Sequence, residues 1–280
     1  MKYKMEIEEV VRLVNSAQEL LNKVIAGLDI DEVEKAPMEE LAPQKNFKNF
    51  IEGNSNKLAR TMGLSIAENP GKSVSNPYFI YGTNGCGKSH LVNAMGLNCK
   101  EKYPQKQVLY VSAQQFQREF TDSVRQNTTN NFVNFYQSID VLIVDDIQEW
   151  MNAPKTLNAF FHIFNHLLRN GKQIILASDR PPVDLKGMEE YVVKCFACGV
   201  VAEIEKPDLQ LCIDILNAKC EQDGLEIPAE VSEYVSNAVN GSVCDLGGIA
   251  NSLIAYAKVD SSSIDMKLAK RVISHRVKLK

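Results

Sequence analysis

The octapeptide Gly82-Thr83-Asn84-Gly85-Cys86-Gly87-Lys88-Ser89 fits G-x-x-x-x-G-K-[ST], and it constrains this chain more than any other stretch. The apolar run YFIY precedes it, and a helix-compatible segment runs from Lys88 to about residue 102. A loop between strand and helix suits a phosphate chain. Glycines let backbone N–H groups turn inward, and the helix N-terminus favours an anion. Lys88 then neutralises phosphate charge, and Ser89 offers a hydroxyl to Mg²⁺. Gly82, Asn84, Gly85, Cys86, Gly87, Lys88, Ser89 and His90 are therefore candidate nucleotide-binding residues.

The remaining pattern supports that setting. The runs VLYV, VLIV and IILA do not alternate with polar residues, as expected of strands covered on both faces. Strands are expected at 78–81, 107–112, 140–146 and 173–179, with a helix at about 54–68 before the first and helices at about 88–102, 113–126 and 155–169 between them. This order predicts an α/β domain with a parallel sheet flanked by helices. From residue 206 onward only helical patterns follow, which predicts a small all-α lid over 206–280. Residues 5–28 read as an amphipathic helix, and the acidic, proline-bearing stretch to 46 reads as a linker. The expected divisions are 1–46, 47–205 and 206–280.

Charge and cysteine usage narrow the setting. The net charge of −4 creates no global basic field, although the last fourteen residues carry six Lys or Arg and no acid. The start is too acidic and polar for a signal peptide, and no run reaches the roughly 18 apolar residues of a membrane span. With no apolar run of that length no membrane partner is expected, and seven cysteines without framework spacing or an export signal suggest reduced thiols in the cytoplasm. Cys195 and Cys198 form a CxxC without a second pair, and His162 and His166 lack ligand-rich companions, so neither predicts a metal site.

Acidic residues at strand ends supply the remaining chemistry. Asp145 and Asp146 close VLIV, where a carboxylate holds Mg²⁺ beside a phosphate loop. Asp145 is assigned to the metal with Ser89, and Asp146 to polarising the attacking water. Asp179 closes the next strand, where a polar side chain can sense the terminal phosphate. The following Arg180-Pro181-Pro182 reads as an exposed turn.

Taken together, FKNFIEGNSNKLAR, NPYFIYGTNGCGKSHLVNAMG, VLIVDDIQ, FFHIFN and ILASDRPP resemble, in order and spacing, the AAA+ domain of the bacterial replication initiator DnaA family. The resemblance runs from about residue 47 to about residue 273. It implies an AAA+ core with a helical lid, and ATP or ADP with Mg²⁺ as ligands. It implies that segment 50–56 meets the adenine near Phe50, Ile51 and Asn56. It also implies head-to-tail association with itself or a full-length family member, and weak contact with single-stranded DNA at Lys155 and Thr156. A neighbouring basic position of the family is Ala153 here.

Four departures from the family pattern concern arginines, one of them Leu211, where the family's PDLETR-like segment has an arginine. Cys195, in CFACG, stands at the arginine-finger position, and Tyr191 replaces an arginine one turn earlier. Cys244, in SVCDLGG, stands at the lid arginine of the family's x-V-R-E-L-E-G string. A neutral thiol cannot fork across phosphate oxygens as a guanidinium does. Lys194 neighbours Cys195, but an adjacent helical residue points elsewhere. The expectation is an ATP- or ADP-binding protein of replication initiation or its regulation, with weak or absent hydrolysis. Two alternatives remain: a non-catalytic adaptor of the initiator, and a helicase-loader-like protein that uses residues 5–28. The family's double-strand-reading domain is expected to be absent.

Overall fold

The computed structural model describes residues 41–72, 75–239, 241–260 and 263–276, with side chains through residue 274. The helix expected over 5–28 lies outside them. Five parallel strands form one sheet: β1 (Tyr78–Tyr81), β2 (Val108–Ser112), β3 (Val141–Asp145), β4 (Gln173–Ser178) and β5 (Val200–Glu203). Their spatial order is β2-β3-β4-β1-β5. Consecutive residues of a strand face opposite sides of the sheet, and here both sides are apolar. Phe79, Leu142, Val144, Ile174 and Leu176 enter one core. Tyr78, Ile80, Val141, Ile143, Ile175 and Ala177 enter the other.

Helices α1 (Lys57–Glu68) and α2 (Lys88–Lys102) supply the second of these cores. Helices α3 (Ala113–Arg125), α4 (Thr129–Ser138), α5 (Pro154–Arg169) and α6 (Glu190–Phe196) cover the first. Phe116 anchors that side, with Phe132, Tyr136, Trp150 and Phe160 all within 5.6 Å of it, centroid to centroid. The lid has its own core and comprises α7 (Leu209–Gln222), α8 (Ala229–Ala238), α9 (Val243–Val259) and α10 (Met266–Arg276). Among the described residues no helix is long and apolar enough to cross a membrane.

Several boundaries differ from the sequence expectations. Helix α4 was not expected; its Asn-rich sequence has poor propensity, and Phe132 and Tyr136, one turn apart, hold it by burial. The short edge strand β5 was not expected either, because four residues with one fully buried position carry little pattern. Strand β3 ends at Asp145, and Asp146 lies outside it in the left-handed region at φ 59°. Strand β4 ends at Ser178, and Pro182 is buried at the start of a short 3₁₀ turn rather than exposed. The chain is already docked at Leu41, a core residue. There Asn93 on α2 accepts from the Ala42 N–H and donates to the carbonyls of Ala42 and Lys45.

Candidate nucleotide site

All five strands run the same way, so the carboxyl ends of β1, β3 and β4 lie on one edge of the sheet. The loop after β1, the acid ending β3 and the acid after β4 therefore converge. Strand β4 lies between β1 and β3, so Asp179 sits between the phosphate loop and Asp145.

The loop has the backbone its glycines permit. Gly85 has φ 81° and Gly87 has φ 110°, conformations L side chains avoid. Gly87 is also the N-cap of α2, and no side chain caps that helix. Its first-turn amides thus face the loop as an anion-binding end. Lys88 is only 6% exposed. Its Nζ donates to the carbonyls of Gly82 at 2.8 Å and Thr83 at 3.2 Å, so the ammonium is folded back into the loop. Asn84 is exposed at the tip. The Cys86 side chain is buried, and burial pushes its thiol up, so it packs rather than reacts.

Beside the loop, Asp145 is 2% exposed. Its carboxylate accepts from the Ser89 hydroxyl, from Tyr110 Oη at 2.9 Å and from the Asp146 N–H at 2.9 Å. Burial raises its pKa, the Ser89 hydrogen bond opposes the rise, and the Asp146 charge adds to it. Ser89 and Asp145 are thus paired hard oxygen donors, as a phosphate-bound Mg²⁺ requires. Among the described residues no cluster of three or more His, Cys, Asp or Glu forms a separate metal cage.

Gln148, which sequence reasoning missed, links the two remaining acids. Its Nε2 donates to Asp146 Oδ1 at 2.9 Å, and its Oε1 accepts from the Asp179 N–H at 3.1 Å. The Asp179 carboxylate is held on both oxygens by Arg180, at 2.6 and 2.7 Å. That guanidinium holds its carboxyl below the usual range, with Lys88 adding a smaller effect. Asp179 stands where a sensing residue is expected, with its carboxylate engaged by its own neighbour.

A cavity of about 490 Å³ extends from the loop between segment 44–56 and the lid. Phe50, Ile51, Ser55, His90, Leu211 and Ile215 are among its walls. Phe50 reaches the loop: a Cβ built on Gly87 would lie 3.4 Å from its ring. Asn56 is 5% exposed and spends its side chain locking the segment. Its Oδ1 accepts from the Gly53 N–H and its Nδ2 donates to the Ile51 carbonyl, both at 2.9 Å. His90 Nε2 lies 3.0 Å from the Asn46 carbonyl, and its ring meets Phe50 edge-on at 5.3 Å. Burial lowers the His90 pKa, so the ring is neutral near pH 7. The Ser55 hydroxyl is buried without a hydrogen-bond partner among the described residues. An orphaned hydroxyl in the wall, an apolar slot and an uncapped glycine cradle together fit a nucleoside polyphosphate.

The lid closes on this site. The Val243 N–H donates to the Gly85 carbonyl at 3.0 Å. A Cβ built on Gly85 would lie 3.5 Å from Cys244 Cβ, so the thiol's residue sits directly over the phosphate loop. On α6, Cys195 packs against the aromatic core. The Tyr191 ring meets Phe161 edge-on at 4.9 Å. Lys194 is turned to Glu190 at 2.7 Å, with both side chains largely exposed. Of the two DNA candidates, Lys155 is exposed and Thr156 is buried.

Comparison with known proteins agrees with this geometry. Residues 41–203 match a family described as the bacterial DnaA ATPase domain. The chromosomal replication initiator protein DnaA of Bacteroides fragilis (strain YCH46) is 55% identical over 233 residues, covering 83% of this chain and 49% of that protein. The chain spans about half the length of the curated relatives it matches. Domain III of the Thermotoga maritima replication initiation protein DnaA superposes with a TM-score of 0.81 at 32% identity, covering 86% of this chain and all of that one. A replication initiator DnaA bound to AMPPCP and single-stranded DNA superposes with a TM-score of 0.74 at 35% identity, covering 82% of this chain and 69% of that one.

Proposed function

This chain belongs to the bacterial DnaA ATPase-domain family, and from that premise we propose that it binds ATP or ADP with Mg²⁺ and hydrolyses ATP weakly or not at all. Its place is in replication initiation or the control of it. The observation that carries this reading is a complete phosphate cradle closed by a neutral residue, Cys244, over Gly85. The cradle residues are Gly82, Asn84, Gly85, Cys86, Gly87, Lys88, Ser89 and His90. Phe50, Ile51 and Asn56 shape the adenine slot, and Ser89 with Asp145 would hold Mg²⁺.

When bound, Mg²⁺ would screen phosphate charge. Asp146, oriented by Gln148, would polarise water, and Asp179 would sense the terminal phosphate. Neither α6 nor α9 supplies an arginine at the positions where the family pattern has them. An arginine finger is worth roughly 10³ to 10⁵ in rate where it operates. The test is the nucleotide content of the purified chain and its exchange rate with Mg²⁺. One ADP or ATP per chain is expected, and failure to bind either at millimolar concentration contradicts the reading.

A second reading follows from the contrast between the two faces. The nucleotide cleft is built, whereas α6 carries Cys195, packed on the aromatic core, and the exposed Tyr191 where the family pattern has arginines. Such a chain can receive a neighbour's arginine but offer none, so it would cap a filament of the full-length initiator. A pull-down with that initiator, with and without ATP, separates this adaptor from an independent enzyme. Single-stranded DNA, bound in the related complex, would meet Lys155 here, and weak binding is expected.

A further inference from the structure

Helix α9 lines the nucleotide cavity at three successive turns, through Val243, Gly247 and Asn251. Its first turn rests on the phosphate loop through Val243 and Cys244. One turn along, about 5 Å away, position 247 is glycine. The family's V-R-E-L-E-G string carries arginine and glutamate where this chain has Cys244 and Gly247. The arginine and the second glutamate of that string are therefore absent together, while Asp245 keeps an acid at the position of the first.

The space beside Gly247 is taken by a lysine from α7. A Cβ built on Gly247 would lie 3.6 Å from Lys219 Nζ, and that ammonium donates to the Gly247 carbonyl at 3.4 Å. The contact is long for a charged donor. Lys219 forms no salt bridge among the described residues, whereas Lys258 on the same lid pairs with Asp223 at 2.5 Å. The Lys219 side chain is half-buried and lines the same cavity as Cys86, Gly87 and His90. A half-buried ammonium without a salt-bridge partner, lining the cavity that the phosphate loop also lines, is an anion-binding group, because burial strengthens its attraction to a polyanion.

We propose that Lys219 is the lid's cation for the bound nucleotide, contacting the phosphate chain where Cys244 has removed the arginine, and that glycine at 247 keeps it unpaired. The inference rests on the nucleotide-binding reading above. It makes Lys219 a specificity residue for phosphorylated ligands rather than for the base.

The experiment is equilibrium binding of adenosine, ADP and ATP to the full chain and its variants. Lys219→Met is expected to weaken ADP and ATP binding by roughly 10- to 100-fold, the range of a charge-assisted hydrogen bond, and to leave adenosine within about twofold. Lys219→Arg should retain most of the affinity. Gly247→Glu gives the ammonium a carboxylate partner and should reproduce the phosphate-selective loss. Gly247→Gln, similar in size without charge, should lose less. Equal loss for adenosine and ADP, or ADP binding unchanged in Lys219→Met, overturns the inference while leaving nucleotide binding intact. A wild-type chain that binds none of the three overturns the underlying reading and this inference with it.

Discussion

Val243 donates its backbone N–H to the carbonyl of Gly85 at 3.0 Å, so the lid is hydrogen-bonded to the loop that cradles phosphates. Whatever side chain occupies position 244 is thereby placed over the cradle. In this chain it is a thiol, which brings no charge to the site.

Cys244→Arg tests that placement. A guanidinium there would meet the terminal phosphate and favour ATP over ADP. The expected gain in the ATP-to-ADP affinity ratio is roughly 10-fold, the worth of one charge-assisted hydrogen bond. Competition binding of the two nucleotides measures it, and an unchanged ratio would show that position 244 does not face phosphate.

Gln148→Ala removes the bridge between Asp146 and the Asp179 backbone. A partly buried N–H then loses its acceptor, at a cost of about 1–2 kcal/mol. Urea unfolding should show that loss, with ADP affinity changed by only a few-fold because the cradle is untouched. A neutral effect on stability would mean the bridge is formed at no net gain.

His90 gives a pH dependence with a defined sign. The Asn46 carbonyl can only accept, so Nε2 donates to it, a bond that favours the charged ring and is outweighed by burial. Burial holds the folded pKa below 6.5, so the unfolded chain binds the proton first as pH falls. This contribution is complete above about pH 6.5 and is lost as pH drops from there toward the folded pKa. The urea midpoint should therefore fall less between pH 7.5 and 5.5 in His90→Gln than in the parent chain. Parallel curves for the two proteins would remove His90 as the cause.

Asp145→Asn should abolish the Mg²⁺ dependence of ATP affinity while preserving metal-free binding within a few-fold. The Ser89–Asp145 pair is the hard-oxygen site next to the loop, and the neutral amide is a poor ligand for Mg²⁺. Titrations with EDTA and with Mg²⁺ distinguish the outcomes. A retained metal dependence would place the metal elsewhere.

Much of this site was legible because its chemistry sits where backbone pattern and motif coincide. YFIY before the loop and VLIV before Asp145 mark strand ends, and a parallel sheet brings strand ends together. Residues that position others left no such mark. Gln148 reads as one polar residue after an acid pair, and Arg60, which donates to the Phe50 carbonyl and pairs with Glu52, reads as a solvated helix charge. Asn93 shows a weak signal as a 4% exposed amide on the loop helix, visible only once that helix's buried face is known. Helix α4 was missed because tertiary burial of Phe132 and Tyr136 overrides the local preference of its asparagines. The edge-on contact of the exposed Tyr191 ring with Phe161 depends on neighbours far apart in sequence.

The central claim is that the cleft holds a nucleotide whose terminal phosphate this chain is poorly equipped to cleave. Steady-state ATP turnover of the chain, compared with Lys88→Ala under saturating ATP and Mg²⁺, tests it most directly. The account predicts turnover indistinguishable from the Lys88→Ala background, although the parent chain binds ATP and the variant does not. Turnover well above background that collapses in Lys88→Ala would contradict it.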